Sequence, residues 1–320
     1  MRSGITGDVE RTMDLSVIIP VRDEERNVTE LVSRLVETID TLAVEFEIIF
    51  VTDINTDRTY EVLGELHGQD ARVKVIKFSN TFGQQAAVMA GLQFSSGEAV
   101  VIMDGDLQDM PEDIPKLYAT MVQGYDVVYG EKRRKNDSPL RNIYSRLFVR
   151  VMSAFSDYSI RYNTSMFRIV SRRAVNELLK FREYEPSLTF IMGLINFPTT
   201  SVEVTSGKRL KGRTKYGFFR QMNLAVGMLL AFSTKPLRLI SICGFIVSIL
   251  SFAYLIIVLV QSLFFGVSVL GWPTIITLIT LLGGLQLFSM GIIGEYIGRV
   301  FLQSKQRPLY IIEEKLGEFR

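Results

Sequence analysis

The sequence predicts a doubly wound α/β domain on a mostly parallel sheet, followed by an amphipathic interfacial helix and a two-helix transmembrane hairpin. Three observations carry this. Short, largely apolar runs alternate with helix-length segments through the N-terminal part, the pattern of parallel strands covered on both faces. Two stretches, 239–260 and 274–293, carry no charge and meet the requirement of about 20 apolar residues for crossing a bilayer. The composition mixes both regimes, with 48% hydrophobic residues, 22% charged residues and a mean hydropathy of +0.22.

Residues 1–13 are polar and lack the apolar core of a signal peptide, so the domain that follows is expected to stay in the cytoplasm. Leu15–Pro20 reads as the first strand, and Val32, Leu35 and Ile39 mark the first helix. Phe46–Val51 is the second strand, Tyr60–Leu66 a helix, Val73–Phe78 the third strand, Gln84–Phe94 a helix and Ala99–Met103 the fourth strand. Asp126–Tyr129 is a further strand. The expected organisation is a polar tail (1–13), an α/β domain (14–215), the interfacial helix (216–235), the hairpin (236–300) and a cytoplasmic tail (301–320).

Three strands run into polar residues: Pro20 into V-R-D-E-E-R-N, Val51 into T-D-I-N-T-D and Met103 into D-G-D-L-Q-D. In parallel α/β sheets ligands bind outside the carboxyl ends of the strands, so these segments should meet at one crevice. Asp104 and Asp106 are candidate ligands of Mg²⁺ or Mn²⁺. Such hard cations take carboxylate oxygens, use few protein ligands and complete their shell with water and substrate phosphate. Asp-Gly-Asp is also good turn chemistry, so the pair alone does not settle the matter. Neither G-x-G-x-x-G nor a Walker A loop follows the first strand, which weighs against nicotinamide and ATP. Cys243 is the only cysteine and His67 the only histidine. Disulfide frameworks, cysteine-ligated metals, Ser-His-Asp triads and histidine-ligated zinc therefore lack the residues they need. His67, in a polar helix end, is expected to be a solvated surface residue. A net charge of +2 argues against nucleic-acid binding driven by bulk charge.

The segments I-P-V-R-D-E-E-R-N, V-T-D-I-N-T-D and M-D-G-D-L-Q-D-M-P-E-D-I-P, in that order and spacing, resemble the inverting family 2 glycosyltransferases of GT-A fold. Within them, the chain is most similar to the dolichyl-phosphate mannose synthase-like enzymes, which load a sugar onto a polyprenyl phosphate. The resemblance implies a UDP- or GDP-linked sugar donor, an undecaprenyl or dolichyl phosphate acceptor and a divalent cation. It implies that Pro20, Arg22 and Glu24 border the nucleotide, that Asp53 contacts the base, that Asp104 and Asp106 hold the metal and diphosphate, and that Gln108 lies beside the sugar. Arg22 stands where the family usually has an aromatic residue, and Thr52 where D-D-G-S has its first Asp, which leaves the identity of the base open.

The basic run 130–141 reads by itself as a solvated loop. Beside a phosphate site, Arg133 and Arg141 become candidates for gripping phosphate through paired hydrogen bonds. Further on, Asn163 and Thr164 stand where relatives commonly carry an acidic residue and Gly ahead of a Phe-Arg pair, so the usual candidate base is missing. A sugar hydroxyl acceptor needs such a base, worth about 10²–10⁴-fold. A phosphate monoester, with a second pKa of roughly 6, is already an anionic nucleophile at neutral pH. The loss favours a phosphate acceptor, with an inactive paralogue as the rival explanation. Ser206–Gly217 matches the family's R-x-x-G-x-[ST]-K-Y pattern, which implies a loop closing over the diphosphate or the lipid phosphate, with Arg209 and Lys215 as cationic contacts. A basic juxtamembrane segment also attracts anionic headgroups in its own right.

Phe218, Met222, Ala225, Leu229 and Phe232 recur at helical spacing, as in a helix lying in the membrane interface. Residues 261–273 between the spans carry no charge, whereas Lys235, Arg238, Arg299, Lys305 and Arg307 flank the outer ends. The positive-inside rule then puts both termini in the cytoplasm. Gly283, Gly284, Gly291 and Gly294 permit close helix packing and thereby a homo-oligomer. The resemblance implies a multi-pass enzyme of the cell membrane that supplies lipid-linked sugar for modifying cell-envelope glycans. Two alternatives are weighed against it. A polysaccharide synthase would carry Q-x-x-R-W, but the only tryptophan, Trp272, falls in the external turn. A non-catalytic membrane scaffold would accord with the changes at Thr52 and Asn163.

Overall fold

The computed structural model describes residues 13–132, 166–183, 187–205, 207, 235–265 and 271–319. The chain divides into two compact units, one of 1–143, 160–213 and 307–320, the other of 144–159 and 214–306.

The first unit is built on strands β1 (Leu15–Val21), β2 (Phe46–Thr52), β3 (Val73–Phe78), β4 (Ala99–Ile102), β5 (Val127–Lys132), β6 (Arg168–Ser171), β7 (Thr199–Val204) and β8 (Ile312–Leu316). They form one sheet in the order β7-β5-β6-β4-β1-β2-β3-β8. β4, β1, β2 and β3 are mutually parallel, while β6 and β8 run antiparallel to their neighbours. From β1 the chain proceeds outward to β2 and β3, then returns to place β4 on the other side of β1. That reversal makes a topological switch point between β1 and β4, where such sheets open a crevice.

Both faces of the sheet are covered, which explains the continuous apolar runs. Val17 and Ile19 of β1 pack with Val28, Leu31, Leu35 and Ile39 of helix α1 (Val28–Asp40) and with Leu63 of α2 (Thr59–Gln69). Ile18 points into the opposite layer, against Val88 and Leu92 of α3 (Gln84–Phe94). Helix α4 (Ile114–Met121) joins the first layer, and α5 (Arg172–Leu178) and α6 (Leu188–Ile195) join the second. The predicted doubly wound α/β domain is what is found.

The amino end of the sheet is tied by a buried charge. Glu47 accepts hydrogen bonds from the Ser16 hydroxyl (2.6 Å) and the Ser96 amide (2.7 Å), and its other oxygen pairs with Lys74 Nζ at 2.7 Å. Burial alone would raise the Glu47 carboxyl, but the bonds from Lys74, Ser16 and Ser96 together outweigh it and hold the group below its ordinary value. Its stabilisation is therefore complete above the ordinary glutamate value, about 4.3, and is lost as pH falls through the lower folded-state value. Glu47→Ala should cost roughly 3 kcal/mol, because it strands Lys74 and leaves buried donors unmet, and it should flatten the acid limb of a stability–pH curve. Denaturant melts of both proteins between pH 3 and 7 provide the check, and parallel curves would refute the assignment.

Two expectations change. His67, in the last turn of α2, is half-buried and donates from Nδ1 to the Val73 carbonyl at 2.6 Å, so it splices α2 to β3 rather than facing solvent. The segment 301–320, read from sequence as a tail, contains the edge strand β8, with Val75 opposite Leu316 and Phe78 opposite Ile312. Tyr310 stacks on Phe78 (5.0 Å, 13° between planes) and its hydroxyl donates to Gln93 at 2.5 Å. A charged strand such as I-E-E-K-L has no apolar run to announce it, yet charge is what keeps a sheet edge from pairing further.

In the second unit, α7 (Lys235–Phe265) and α8 (Trp272–Ser304) are helices of 31 and 33 residues that touch one another. At 1.5 Å per residue each is roughly 45–50 Å long, more than a bilayer's apolar thickness. Phe245, Ile249, Phe252 and Ile256 of α7 and Ile279, Leu287, Phe288 and Ile297 of α8 are exposed. Leu281–Ser304 is long and apolar enough to cross a membrane and is not buried, whereas the core helix of a soluble protein would be covered.

Candidate active site

The carboxyl ends of β1 and β2 continue into loops that are laced together. Asp23 adopts φ +57°, and its Oδ1 receives the Thr56 amide at 2.6 Å, while its own N–H donates to Asn55 Oδ1 at 3.2 Å. The Glu24 amide donates to Thr59 Oγ1 (2.8 Å), the Glu25 amide to Asp57 Oδ2 (3.2 Å) and the Arg58 amide to Glu25 Oε2 (3.1 Å). Arg22 extends outward beside Asp23, at 3.8 Å. Thr52 is buried and its hydroxyl accepts from Asn55 Nδ2 at 2.8 Å, so the residue that replaces the family's Asp serves the loop itself. Asp53 is also buried, and its two oxygens accept the amides of Phe82 (3.0 Å) and Gly83 (3.2 Å) at the start of α3.

β4 ends in the D-G-D-L-Q-D turn, which lies at the switch point. A Cβ on Gly105 would meet Val21 Cγ1 at 2.6 Å, so only glycine lets this turn press against the end of β1. Leu107 is held at φ +59°, in the left-handed region that bulky residues avoid. Asp106 Oδ1 accepts the Gln108 amide at 3.1 Å, and the Gln108 side-chain amide donates to Asp106 Oδ2. Asp104 Oδ1 accepts Gln84 Nε2 at 2.6 Å, and its backbone N–H donates to Asp109 Oδ2 at 3.1 Å. Asp109 is 1% exposed and pairs with Lys132 Nζ at 2.7 Å.

This corner is crowded with negative charge. Burial, and then the charges of Asp109 and Asp106, push the Asp104 carboxyl up to about 6. Glu24 is raised as well, first by burial, with Asp106 adding repulsion across the gap between β1 and β4. Arg168, fully buried on β6 with its guanidinium 5.0 Å over the Tyr129 ring, lies in the field of Asp104 and Asp109. Among the described residues no group of three or more His, Cys, Asp or Glu side chains could hold a metal by itself. A pair of crowded carboxylates with all-oxygen donors does fit a hard divalent cation that fills its shell from substrate phosphate.

The structure thus brings Glu24, Asp104, Asp106 and Gln108 together and places Pro20 and Asp53 on neighbouring strand ends. Arg133, Arg141, Asn163, Thr164, Arg209, Lys215 and most of the expected interfacial helix lie outside the described residues. Four contributors escaped the sequence reading: Gln84, Asp109, Lys132 and Arg168. Asp109 closes the D-L-Q-D motif and Arg168 belongs to the Phe-Arg pair, so both stood inside segments already singled out.

Residues 16–179 match the family described as glycosyl transferase family 2, and residues 235–300 match the GtrB C-terminal hairpin. An uncharacterised glycosyltransferase of Bacillus subtilis is 36% identical over 97% of this chain and 96% of its own length. The bactoprenol glucosyl transferase of Shigella phage SfV is 33% identical over 95% of this chain and 99% of its own. The undecaprenyl-phosphate 4-deoxy-4-formamido-L-arabinose transferase of Proteus mirabilis is 31% identical over 96% and 95%.

Proposed function

We propose a reaction from one premise: the chain belongs to glycosyl transferase family 2, is a glycosyltransferase of GT-A fold, and carries the C-terminal hairpin found in GtrB. The proposed reaction moves a sugar from a UDP- or GDP-linked donor to a polyprenyl phosphate, undecaprenyl or dolichyl, with inversion at the anomeric carbon. An acceptor phosphate oxygen forms the new bond to that carbon as the bond to the diphosphate breaks, and the nucleoside diphosphate leaves with the electron pair. The observation that carries this reading is the carboxylate turn at the β1/β4 switch point, flanked by Glu24. Relatives over nearly the whole chain that are named for bactoprenol or undecaprenyl phosphate support the choice of acceptor.

In this reading Pro20, Arg22 and Glu24 border the nucleotide. Asp53 reaches the base with the lone pairs it does not give to Phe82 and Gly83, and Gln108 lies beside the sugar. Asp104 and Asp106 would hold Mg²⁺ or Mn²⁺, which supplies charge neutralisation on the leaving diphosphate. Two basic runs begin next to the turn: Lys132, paired with Asp109, precedes Arg133, and Gly207, bonded to Gln108, precedes Arg209. Arg133, Arg141, Arg209 and Lys215 are the proposed grips on the two anions brought together, which is the main electrostatic task when no base is needed.

The decisive experiment incubates purified full-length protein with a panel of nucleotide sugars and a polyprenyl phosphate, then identifies the lipid product by mass. A product heavier by one glycosyl unit is expected. No product from any donor, with no thermal stabilisation by Mn²⁺ and UDP or GDP, would favour the scaffold. The exposed apolar helices accord with membrane association, and we place the protein in the cell membrane with two spans and a cytoplasmic catalytic unit. In a Cys243→Ser background, a cysteine replacing Glu65 should be shielded from impermeant maleimide in intact cells and one replacing Trp272 labelled. The reverse pattern would invert the topology.

A further inference from the structure

We infer that Gly207, just past the end of β7, is a positioning residue that sets the carboxylate turn for a metal–nucleoside diphosphate. This rests on the function proposed above. The Gly207 amide donates to the Gln108 carbonyl at 3.1 Å. A Cβ there would lie 2.2 Å from the Leu107 carbonyl oxygen and 3.2 Å from Gln108 Cα and Met110 Sδ. The nearest obstacles are main-chain atoms, which cannot swing aside as the tip of a side chain can.

The turn that Gly207 meets is the strained one. Leu107 keeps φ +59° while only 6% exposed, a conformation that costs of order 1–3 kcal/mol and persists only where the surroundings over-determine it. The exit of β7 is itself fixed. The Thr205 amide donates to Asp113 Oδ2 at 2.6 Å, and Lys116 Nζ donates to the Glu203 carbonyl. Gly207 therefore carries the placement of a braced strand end onto Leu107 and Gln108, and through Gln108 onto Asp106. In this assignment it acts through Gln108 and Asp106 and not by its own contact with the ligand.

The test measures binding rather than turnover, using full-length protein with Mn²⁺ and UDP or GDP in calorimetry. Gly207→Ala should weaken the Mn²⁺–nucleotide affinity at least about tenfold, a smaller loss than the roughly 10²-fold that a misplacement of about 1 Å can cost in rate. Gly91→Ala is the comparator. Its Cβ would meet Ile18 Cγ2 at 2.3 Å in the core, so it should lower the melting temperature and leave the affinity alone. Asp113→Ala removes the brace nearer Gly207, on the Thr205 amide, without adding an atom, and should weaken affinity measurably but less than Gly207→Ala; it decides the matter if Gly207→Ala does not fold. Wild-type affinity in either folded variant overturns the assignment. A wild-type protein that binds neither UDP nor GDP with Mn²⁺ overturns instead the site reading on which it stands.

Discussion

Asp106→Ala should lower sugar transfer by about 10³-fold or more while leaving the fold intact. Its carboxylate is partly exposed and bonds only to Gln108 among the contacts described, through the amide and the side chain. No strand pairing and no core contact depends on it, so stability should change by no more than about 1 kcal/mol. The loss of activity has a separate origin. Bringing a phosphate nucleophile onto a diphosphate-activated sugar places two anions together, and the departing diphosphate gains charge as the bond breaks. Removing one preorganised electrostatic partner of that kind typically costs 10²–10³-fold, and removing half of a two-carboxylate metal handle should cost at least the upper figure. Asp106→Asn separates charge from shape: it keeps an oxygen for the Gln108 amide, and the same loss is expected from it. Both variants should also lose the thermal stabilisation conferred by Mn²⁺ with nucleoside diphosphate, about 2.7 kcal/mol at a hundredfold excess over Kd. Undiminished transfer by Asp106→Ala would take the carboxylate pair out of the mechanism.

What the sequence disclosed, and what it hid, follows from where each element sits in the sheet. β1 to β4 and the helices between them are legible because central parallel strands are buried on both faces and so are mostly apolar, with Ser16, Glu47, Lys74 and Lys77 among the polar exceptions. β7 and β8 lie at the two edges of the sheet and carry polar or charged residues on their outer faces, so T-T-S-V-E-V and I-E-E-K-L look like loop and tail. The carboxylate turn announced itself by an apolar strand stopping at two aspartates. Its support did not. The resemblance assigns Asp53 to the base, but nothing along the chain shows that Phe82 and Gly83, remote in sequence, donate to it. Arg168 stands in the sequence only as half of a Phe-Arg pair; its burial follows from β6 lying beside β4, opposite Ile102. Such contacts arise from register between strands, and no spacing rule along the chain reports them.

Asp109 is the sharpest case, and its variants should separate two roles. The carboxylate receives the Asp104 amide at 3.1 Å with one oxygen and pairs with Lys132 at 2.7 Å with the other. Asp109→Asn keeps an acceptor for the amide and loses the charge; Lys132 is 29% exposed and can turn to water. That variant should lose about 1 kcal/mol of stability and about tenfold in transfer. Asp109→Ala removes the acceptor as well, orphaning the Asp104 amide and opening a cavity, so about 3 kcal/mol and about 10²-fold in transfer are expected. Lys132→Met inverts the asymmetry. It leaves the charge on the partner that is 1% exposed, and stranding a buried charge is costlier than freeing an exposed one. It should therefore destabilise more than Asp109→Asn, by about 3 kcal/mol, even though a surface cation is normally the cheaper residue to lose. Denaturant melts of the three variants, with transfer rates beside them, give the ordering. If Lys132→Met proved the mildest, the buried carboxylate would be drawing its compensation from Arg168, and the basic run after β5 would have lost its electrostatic tie to the turn.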